Sequence, residues 1–274
     1  MLGWPVSHSL SPRLHGYWLK QYGISGSYEA LAVEPKDLQK TLRGLSEQNF
    51  RGVNLTIPHK ETALSFVDEV DENARRIGAV NTVIIDKGRL LGRNTDAYGF
   101  MMNLKSQFKA TPGKALVLGA GGAARAVCAG LLDDGWKVTL AARDETKAEN
   151  FSKKFDVSFT HWNKLNHAMS DMALLINTTP LGMKSQPPLN ISLDALPRTA
   201  AVCDIVYAPE KTAETKRYSD PTYTDLLARG KTAGHPVITG LGMLLYQAQP
   251  AFEAWFGVKP EVTQELYNHV LEAL

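Results

Sequence analysis

The run Lys114-Ala-Leu-Val-Leu-Gly119-Ala-Gly121-Gly122-Ala123-Ala124-Arg125 constrains the fold more than any other stretch, because an apolar β-like segment turns there into glycines and then an alanine-rich helix. A strand, a tight turn and a helix N-terminus together make an anion cradle. Gly119 permits the turn, Gly121 lets the backbone approach a pyrophosphate, and the small Ala124 at the third position of G-x-G-x-x-A allows close packing of helix on sheet. Free N–H groups at the start of the helix favour phosphate. A glycine turn alone reads as punctuation; the strand before it and the helix after it predict dinucleotide binding.

The rest of the chain supplies the alternation such a fold needs. From Met1 to Ile57 strand-like and helix-like segments alternate: a strand tail to Val6, a helix led by Ser11 as N-cap and Pro12, a strand over Tyr28 to Val33, a helix over Pro35 to Leu45 and a strand from Phe50. That β-α-β-α-β rhythm predicts a parallel sheet covered by helices. Asp71 to Ile77 reads as a short helix, Ala79 to Arg93 as a hairpin around Asp86-Lys87-Gly88, and Tyr98 to Phe108 as a helix. The breaker cluster Ala110-Thr-Pro112-Gly113 marks entry to a second domain. There, strands at Lys114, Lys137 to Ala142, Met172 to Asn177 and Ala200 to Val206 form a doubly wound unit with the helix Glu145 to Phe155. Two helices, Leu241 to Phe256 and Glu261 to Leu274, have no strand to follow and are expected back on the first domain. The expected fold is therefore α/β with two domains. Residues 1–97 with 240–274 make a discontinuous substrate and catalytic domain, and 98–239 a Rossmann-like NAD(P)-binding domain.

Composition narrows the function classes. At 274 residues, 44% hydrophobic and 21% charged, the chain can bury two ordinary cores, and its net charge of +2 implies no nucleic-acid partner. The two cysteines, Cys128 and Cys203, lie in apolar surroundings that suit inert core thiols, so no disulfide or metal is expected. No apolar run approaches the ~18 residues of a membrane span, and the cytoplasm is the expected setting.

Hydride transfer to or from a cofactor needs a partner oxygen that gains or loses a proton. Lys60 and Asp96, each at a turn after a strand, are the candidates; alone, one reads as a surface charge and the other as a helix cap. Their neighbourhoods are more specific. Ser7-His8-Ser9-Leu10-Ser11-Pro12, Asn54-Leu-Thr56-Ile-Pro58-His59-Lys60, Ile77-Gly78-Ala79-Val80-Asn81-Thr82 and Asn94-Thr95-Asp96 resemble the successive substrate motifs of the shikimate dehydrogenases. Gly119 to Ala123, Ile176 to Met183, Asp204-Ile205-Val206-Tyr207 and Gly240 to Gln247 continue the resemblance in the family's order over nearly the whole chain.

The resemblance implies reversible NADP-dependent reduction of 3-dehydroshikimate to shikimate, a step towards the aromatic amino acids, by a monomer or homodimer. It places the catalytic pair at Lys60 and Asp96, and further substrate contacts at Ser7, Ser9, Thr56, Asn81, Tyr207 and Gln247. Each of these can hydrogen-bond the hydroxyl or carboxylate groups of such a ring. Cofactor contacts fall on Gly119, Ala120, Gly121, Gly122, Ala123, Ala142, Arg143, Lys147, Ile205 and Gly240. His8 and His59 sit beside these motifs without an implied role.

Three departures bear on specificity. After the strand ending at Ala142, Arg143 and Lys147 supply two cations for a ribose 2′-phosphate, whereas Asp144 would repel it and could serve the ribose hydroxyls of NAD. Asp144 also stands where it could cap the next helix. NADP is the expected cofactor, with NAD possible through Asp144. Glu210 to Tyr223 reads as a polar insertion forming a surface loop, and the first strand is shorter than the family's, which leaves open a start upstream of Met1. The alternatives are an NAD-dependent quinate/shikimate dehydrogenase and a catalytically silent ligand-sensing paralogue. Two serines near the substrate carboxylate favour shikimate over the bulkier quinate, and retention of Lys60 with Asp96 argues against a silent sensor.

Overall fold

The computed structural model describes residues 1–109 and 111–274. The chain forms two compact units, Met1–Gly99 with Leu244–Ala273, and Phe100–Met243 with Leu274. Ala110, at the head of the breaker cluster, lies outside the described residues.

The first unit carries β1 (Leu2–Gly3), α1 (Ser11–Gln21), β2 (Leu31–Ala32), α2 (Leu38–Gly44), β3 (Gly52–Asn54), α3 (His59–Thr62), β4 (Glu69–Val70), α4 (Glu72–Ile77), β5 (Thr82–Asp86) and β6 (Arg89–Arg93). The next helix, α5 (Asp96–Gln107), runs on into the second unit. The expected parallel sheet is realised only in part. β1 and β2 pair in parallel and Leu2 bridges to Leu55 in parallel, but the four-stranded sheet has the order β3-β5-β6-β4, with β5 antiparallel to both β3 and β6. The cause is local. Lys87 and Gly88, with φ of 49° and 81°, reverse the chain in a two-residue turn whose twist suits an antiparallel hairpin.

The second unit carries β7 (Lys114–Leu118), α6 (Gly122–Asp133), β8 (Lys137–Ala142), α7 (Glu145–Phe155), β9 (Ser158–His161), α8 (Leu165–Met169), β10 (Leu174–Asn177), β11 (Ala201–Asp204), α9 (Asp225–Thr232) and β12 (Val237–Ile238). Its six strands are all parallel, in the order β12-β11-β10-β7-β8-β9. Numbered from β7 this is 6-5-4-1-2-3, the doubly wound dinucleotide-binding order, which reverses between β7 and β10. Every residue of β10 and β11 is buried, as befits strands covered on both faces. Sequence reasoning missed β9 and β12. Ser158-Phe-Thr-His161 is a half-exposed edge strand without an apolar run, and β12 has two residues, too few for any period to register.

α10 (Leu241–Phe256) starts in the second unit and ends in the first, followed there by α11 (Gln264–Leu271). Trp255 on α10 donates from Nε1 to Val83 O at 3.1 Å. A Cβ at Gly52 would lie 2.0 Å from that nitrogen, so the helix reaches the strand only because position 52 has no side chain. α11 lies against α1, with Arg13 Nε donating to His269 O at 2.5 Å and its guanidinium paired with Glu272 at 2.9 Å. The helices thus return to the first unit, as their lack of a partner strand implied.

Helix starts follow capping chemistry with one correction. Asp71, Asp144, Thr224 and Thr263 each accept a backbone N–H three residues on, heading α4, α7, α9 and α11. Ser11, by contrast, is the first helical residue of α1 and not its cap. Ser9 Oγ accepts from Ser11 N at 3.2 Å, so the hydroxyl serving that helix start lies two residues earlier. The insertion Glu210 to Tyr223 is also more than a loose surface loop. Tyr218 Oη donates to Ala228 O at 3.2 Å, its ring stacks on Tyr223, and Thr212 Oγ1 donates to Asp225, tying the segment to α9.

Candidate active site

In the first unit the hairpin and two flanking turns bring four of the expected residues into one hydrogen-bonded cluster. Lys60, in the short helix α3 after β3, places Nζ 2.6 Å from Asp96 Oδ2. Asp96 opens α5 just after β6, with its own N–H donating to Asn94 Oδ1 at 3.0 Å. Asn81, just before β5, donates from Nδ2 to Asp96 Oδ1 at 2.8 Å, and Gln247 Oε1 on α10 lies 3.3 Å from the same nitrogen. The lysine side chain is 24% exposed and the aspartate 8%, so the pair is sheltered yet still reachable from solvent on the lysine side. A carboxylate in that state is a firm acceptor, and it holds the ammonium in one place.

The remaining expected contacts of this unit lie along the segments leading into the cluster. Ser7 is exposed. Ser9 is half-buried, accepting from Ser11 N and donating to Met1 Sδ at 2.9 Å. Thr56 follows β3, its N–H donating to Leu2 O at 3.0 Å. Of the two neighbouring histidines, His8 is exposed. His59 is buried, its Nε2 lies 2.8 Å from Val33 O, and burial holds its pKa below the usual value. Sequence reasoning passed over Thr95, which donates from its backbone to Asn81 Oδ1 at 2.9 Å and from Oγ1 to Gln247 at 3.4 Å. It also passed over Asn54 and Thr82, which hold Asn81 from the other side. All three stand inside the motifs quoted for the family resemblance, so their position was the available signal.

In the second unit the glycine loop has the predicted form. Gly119 follows β7 with φ +114°, and a Cβ there would meet Thr178 Oγ1 at 2.8 Å, so only glycine serves at this turn. Gly121 is the N-cap of α6, and a Cβ on Gly121 or Gly122 would meet nothing within 4 Å. The backbone above the helix N-terminus therefore faces open space, as a cradle for a pyrophosphate must. A hollow of ≈ 420 Å³ beside it is lined in part by Ala120, Arg125, Asp144, Lys147, Asn150 and Lys154. Arg143 is exposed on the turn after Ala142, at the end of β8. Asp144 is engaged in capping: its Oδ1 accepts Lys147 N at 2.9 Å. These residues fit a phosphorylated dinucleotide: Arg143 and Lys147 are two exposed cations in the glycine loop's unit, and the carboxylate of Asp144 is turned to its own helix.

Ile205 and Gly240 meet in this unit, since a Cβ on Gly240 would lie 2.4 Å from Ile205 O. Tyr207, partly buried, follows on the same segment, and desolvation raises its phenol pKa, which keeps it protonated. Beneath them Asp204 is fully buried, accepting from Thr224 Oγ1 at 2.7 Å, Asn177 Nδ2 at 2.9 Å and Val206 N at 3.1 Å. Burial pushes its carboxyl up to about 7, with those three donors opposing. Folding therefore takes up a proton at Asp204 between the ordinary 3.8 and about 7. Its contribution to stability is largest below that window and falls as pH rises through it. Thermal melting of the parent and Asp204→Asn across about pH 4 to pH 8 should show this decline in the parent only. Equal pH dependence in both would remove Asp204 as its source.

Three family models match the chain: the shikimate dehydrogenase substrate binding domain over residues 1–83, shikimate / quinate 5-dehydrogenase over 103–184, and the shikimate 5′-dehydrogenase C-terminal domain over 240–264. A shikimate dehydrogenase (NADP(+)) of Paramagnetospirillum magneticum is 48% identical over 278 residues, covering 99% of this chain and 96% of its own. That of Rhodospirillum rubrum is 47% identical, covering 99% and 95%. Among solved structures, shikimate 5-dehydrogenase from Thermus thermophilus in complex with NADP(H) and shikimate has a TM-score of 0.87 at 39% identity, covering 100% of this chain and 98% of that one. Quinate dehydrogenase from Corynebacterium glutamicum in complex with NAD has a TM-score of 0.88 at 26% identity, covering 99% and 97%.

Proposed function

The chain belongs to the shikimate dehydrogenase family, with NADP as cofactor and activity in the shikimate pathway of aromatic amino acid biosynthesis, and from that premise we propose how its own residues divide the work. The reaction interconverts 3-dehydroshikimate and shikimate. Lys60 and Asp96 are the pair that handles the proton, and the observation that carries this is their 2.6 Å contact inside a buried polar cluster. When bound, the cofactor supplies or removes the hydride at the carbonyl carbon. Lys60 Nζ is the atom at which the matching proton reaches or leaves the substrate oxygen, and Asp96 Oδ2 holds that nitrogen in position. Asn81, itself bonded to Asp96, and Gln247 offer amide donors and acceptors to the ring hydroxyls, with Thr56 and Tyr207 as further contacts. Ser7 and Ser9 are the hydroxyl donors for the substrate carboxylate.

For the cofactor, the backbone from Gly119 to Ala123 takes the pyrophosphate, Arg143 and Lys147 the 2′-phosphate, and Ala142, Ile205 and Gly240 line the remainder. Residues 1–97 with 240–274 are accordingly the substrate and catalytic part, and 98–239 the dinucleotide-binding part. Among the described residues no helix is long and apolar enough to cross a membrane. The same reading takes the protein as a monomer or homodimer acting in the cytoplasm on a small-molecule substrate.

Nicotinamide absorbance followed with shikimate or quinate, each with NADP or NAD, tests the whole reading. Shikimate with NADP should give the highest kcat/KM of the four combinations. Preference for quinate with NAD would overturn the substrate assignment, and silence in all four would point to a ligand sensor.

A further inference from the structure

Asp96 is the end of a run of hydrogen bonds, half-buried at its head and buried from Asn54 onward, that starts outside the catalytic cluster. Tyr28 Oη donates to Asn54 Oδ1 at 2.6 Å, and Asn54 Nδ2 donates to Thr82 Oγ1 at 3.0 Å. Thr82 Oγ1 donates to Asn81 Oδ1 at 3.0 Å, and Asn81 Nδ2 donates to Asp96 Oδ1 at 2.8 Å. Every link points the same way: each amide turns its carbonyl towards Tyr28 and its amino group towards Asp96. Thr82 is the hinge of that polarity, because a hydroxyl can accept from one amide while donating to the next. Resting on the reading of Lys60 and Asp96 as the proton-handling pair, we propose that Thr82, ordered by Tyr28 through Asn54, is a positioning residue that keeps the amino group of Asn81 on Asp96 Oδ1 and so reserves Oδ2 for Lys60.

The fold builds this run deliberately into its register. β3 and β5 pair antiparallel with Asn54 directly opposite Thr82, and Asn81 is the residue just before β5. Thr82 is 0% exposed, Asn81 1% and Asn54 4%, so water cannot stand in for a missing link. The donor at the head is secure. The ring of Tyr28 stacks on that of His15 at 4.1 Å, and desolvation raises the phenol pKa, keeping its hydrogen in place. Asn81 needs such direction, because rotated by half a turn its carbonyl would face the carboxylate of Asp96, acceptor against acceptor. Thr95 also holds Asn81, its N–H donating to Oδ1 at 2.9 Å and its Oγ1 lying 3.3 Å from Oδ1 and 3.0 Å from Nδ2, so Thr82 is one of two anchoring residues and its loss should be graded, not total.

Thr82→Val and Thr82→Ser separate positioning from packing. Valine keeps the branched shape and breaks the run; serine loses a methyl group and keeps the run. The expected result is a kcat lower by about tenfold in Thr82→Val, with the KM for NADP unchanged, and a kcat within about twofold of the parent in Thr82→Ser. The reverse order, an active valine variant and an impaired serine one, would mean a packing role and overturn the inference. Tyr28→Phe provides a second entry to the same run: it should lower kcat in the parent and add little in the Thr82→Val background. Additive losses would detach Tyr28 from Thr82. Asp96→Asn tells the two levels apart. If it turns over like the parent, the catalytic pair is misread and the inference goes with it; if it is inactive while Thr82→Val equals the parent, the inference fails alone.

Discussion

Lys60→Ala is expected to lower kcat by about 10³-fold while the affinity for NADP changes by no more than about twofold. The size follows from what the side chain does. Among the described residues its ammonium is the one cationic group paired with Asp96, at 2.6 Å, and without it the substrate oxygen loses the donor or acceptor of its proton. Asp96 would keep its bond from Asn81 but lose its charge partner, so the variant should also melt at a lower temperature. Cofactor affinity is spared because the glycine loop, Arg143 and Lys147 belong to the second unit and Lys60 to the first. Lys60→Arg should not restore turnover, since a guanidinium remains charged and cannot release a proton. Steady-state kinetics with shikimate and a fluorescence titration with NADPH check both halves, and unchanged kcat in Lys60→Ala would take the residue out of the mechanism.

The second large effect is on cofactor choice. The double variant Arg143→Ala, Lys147→Ala should raise the KM for NADP by about fiftyfold and leave that for NAD within about twofold. Two charge-assisted contacts in a buried setting would exceed that figure, but both cations are exposed, so solvent screening reduces each. The loss should therefore shrink as salt is raised, because the parent itself binds NADP less well at high ionic strength. Asp144 offers no compensating gain for NAD while its carboxylate caps α7 through Lys147 N. Kinetics with each cofactor at two salt concentrations measure the effect. An equal rise in KM for NADP and NAD would move the 2′-phosphate contact elsewhere.

The same contrast between local and remote causes explains which features could be read in the chain. α7 and α10 matched their expected ends residue for residue, α7 because Asp144 at its head is a local capping signal; α10 runs on through Pro250, which no local propensity favours. The N-cap of α1 did not, because Ser9 and Ser11 are both plausible hydroxyls and only the backbone path chooses between them. β9 carried no period; the turn at Asp86-Lys87-Gly88 gave β5 and β6 their antiparallel pairing, but nothing local gave the direction in which β3 joins β5. At the site, Lys60, Asp96, Asn81 and Gln247 were legible as parts of ordered motifs. Tyr28 had no such signal, since it lies outside every motif and joins the site through Asn54.

By itself the sequence determined the glycine cradle, the α/β class, the candidate proton pair and the two cations for the cofactor. Each of these is read from residue types at short spacing within a segment; that Lys60 and Asp96, 36 residues apart, meet at 2.6 Å was decided by the fold. Only the tertiary structure decided that β3 and β4 flank the hairpin in a mixed sheet, that Thr82 stands opposite Asn54, and which of its two local roles Asp144 takes. Those outcomes depend on hydrogen bonds between segments far apart in the chain or on which of several local partners a side chain takes. Such choices are made by backbone geometry and burial, which leave no periodic or compositional trace.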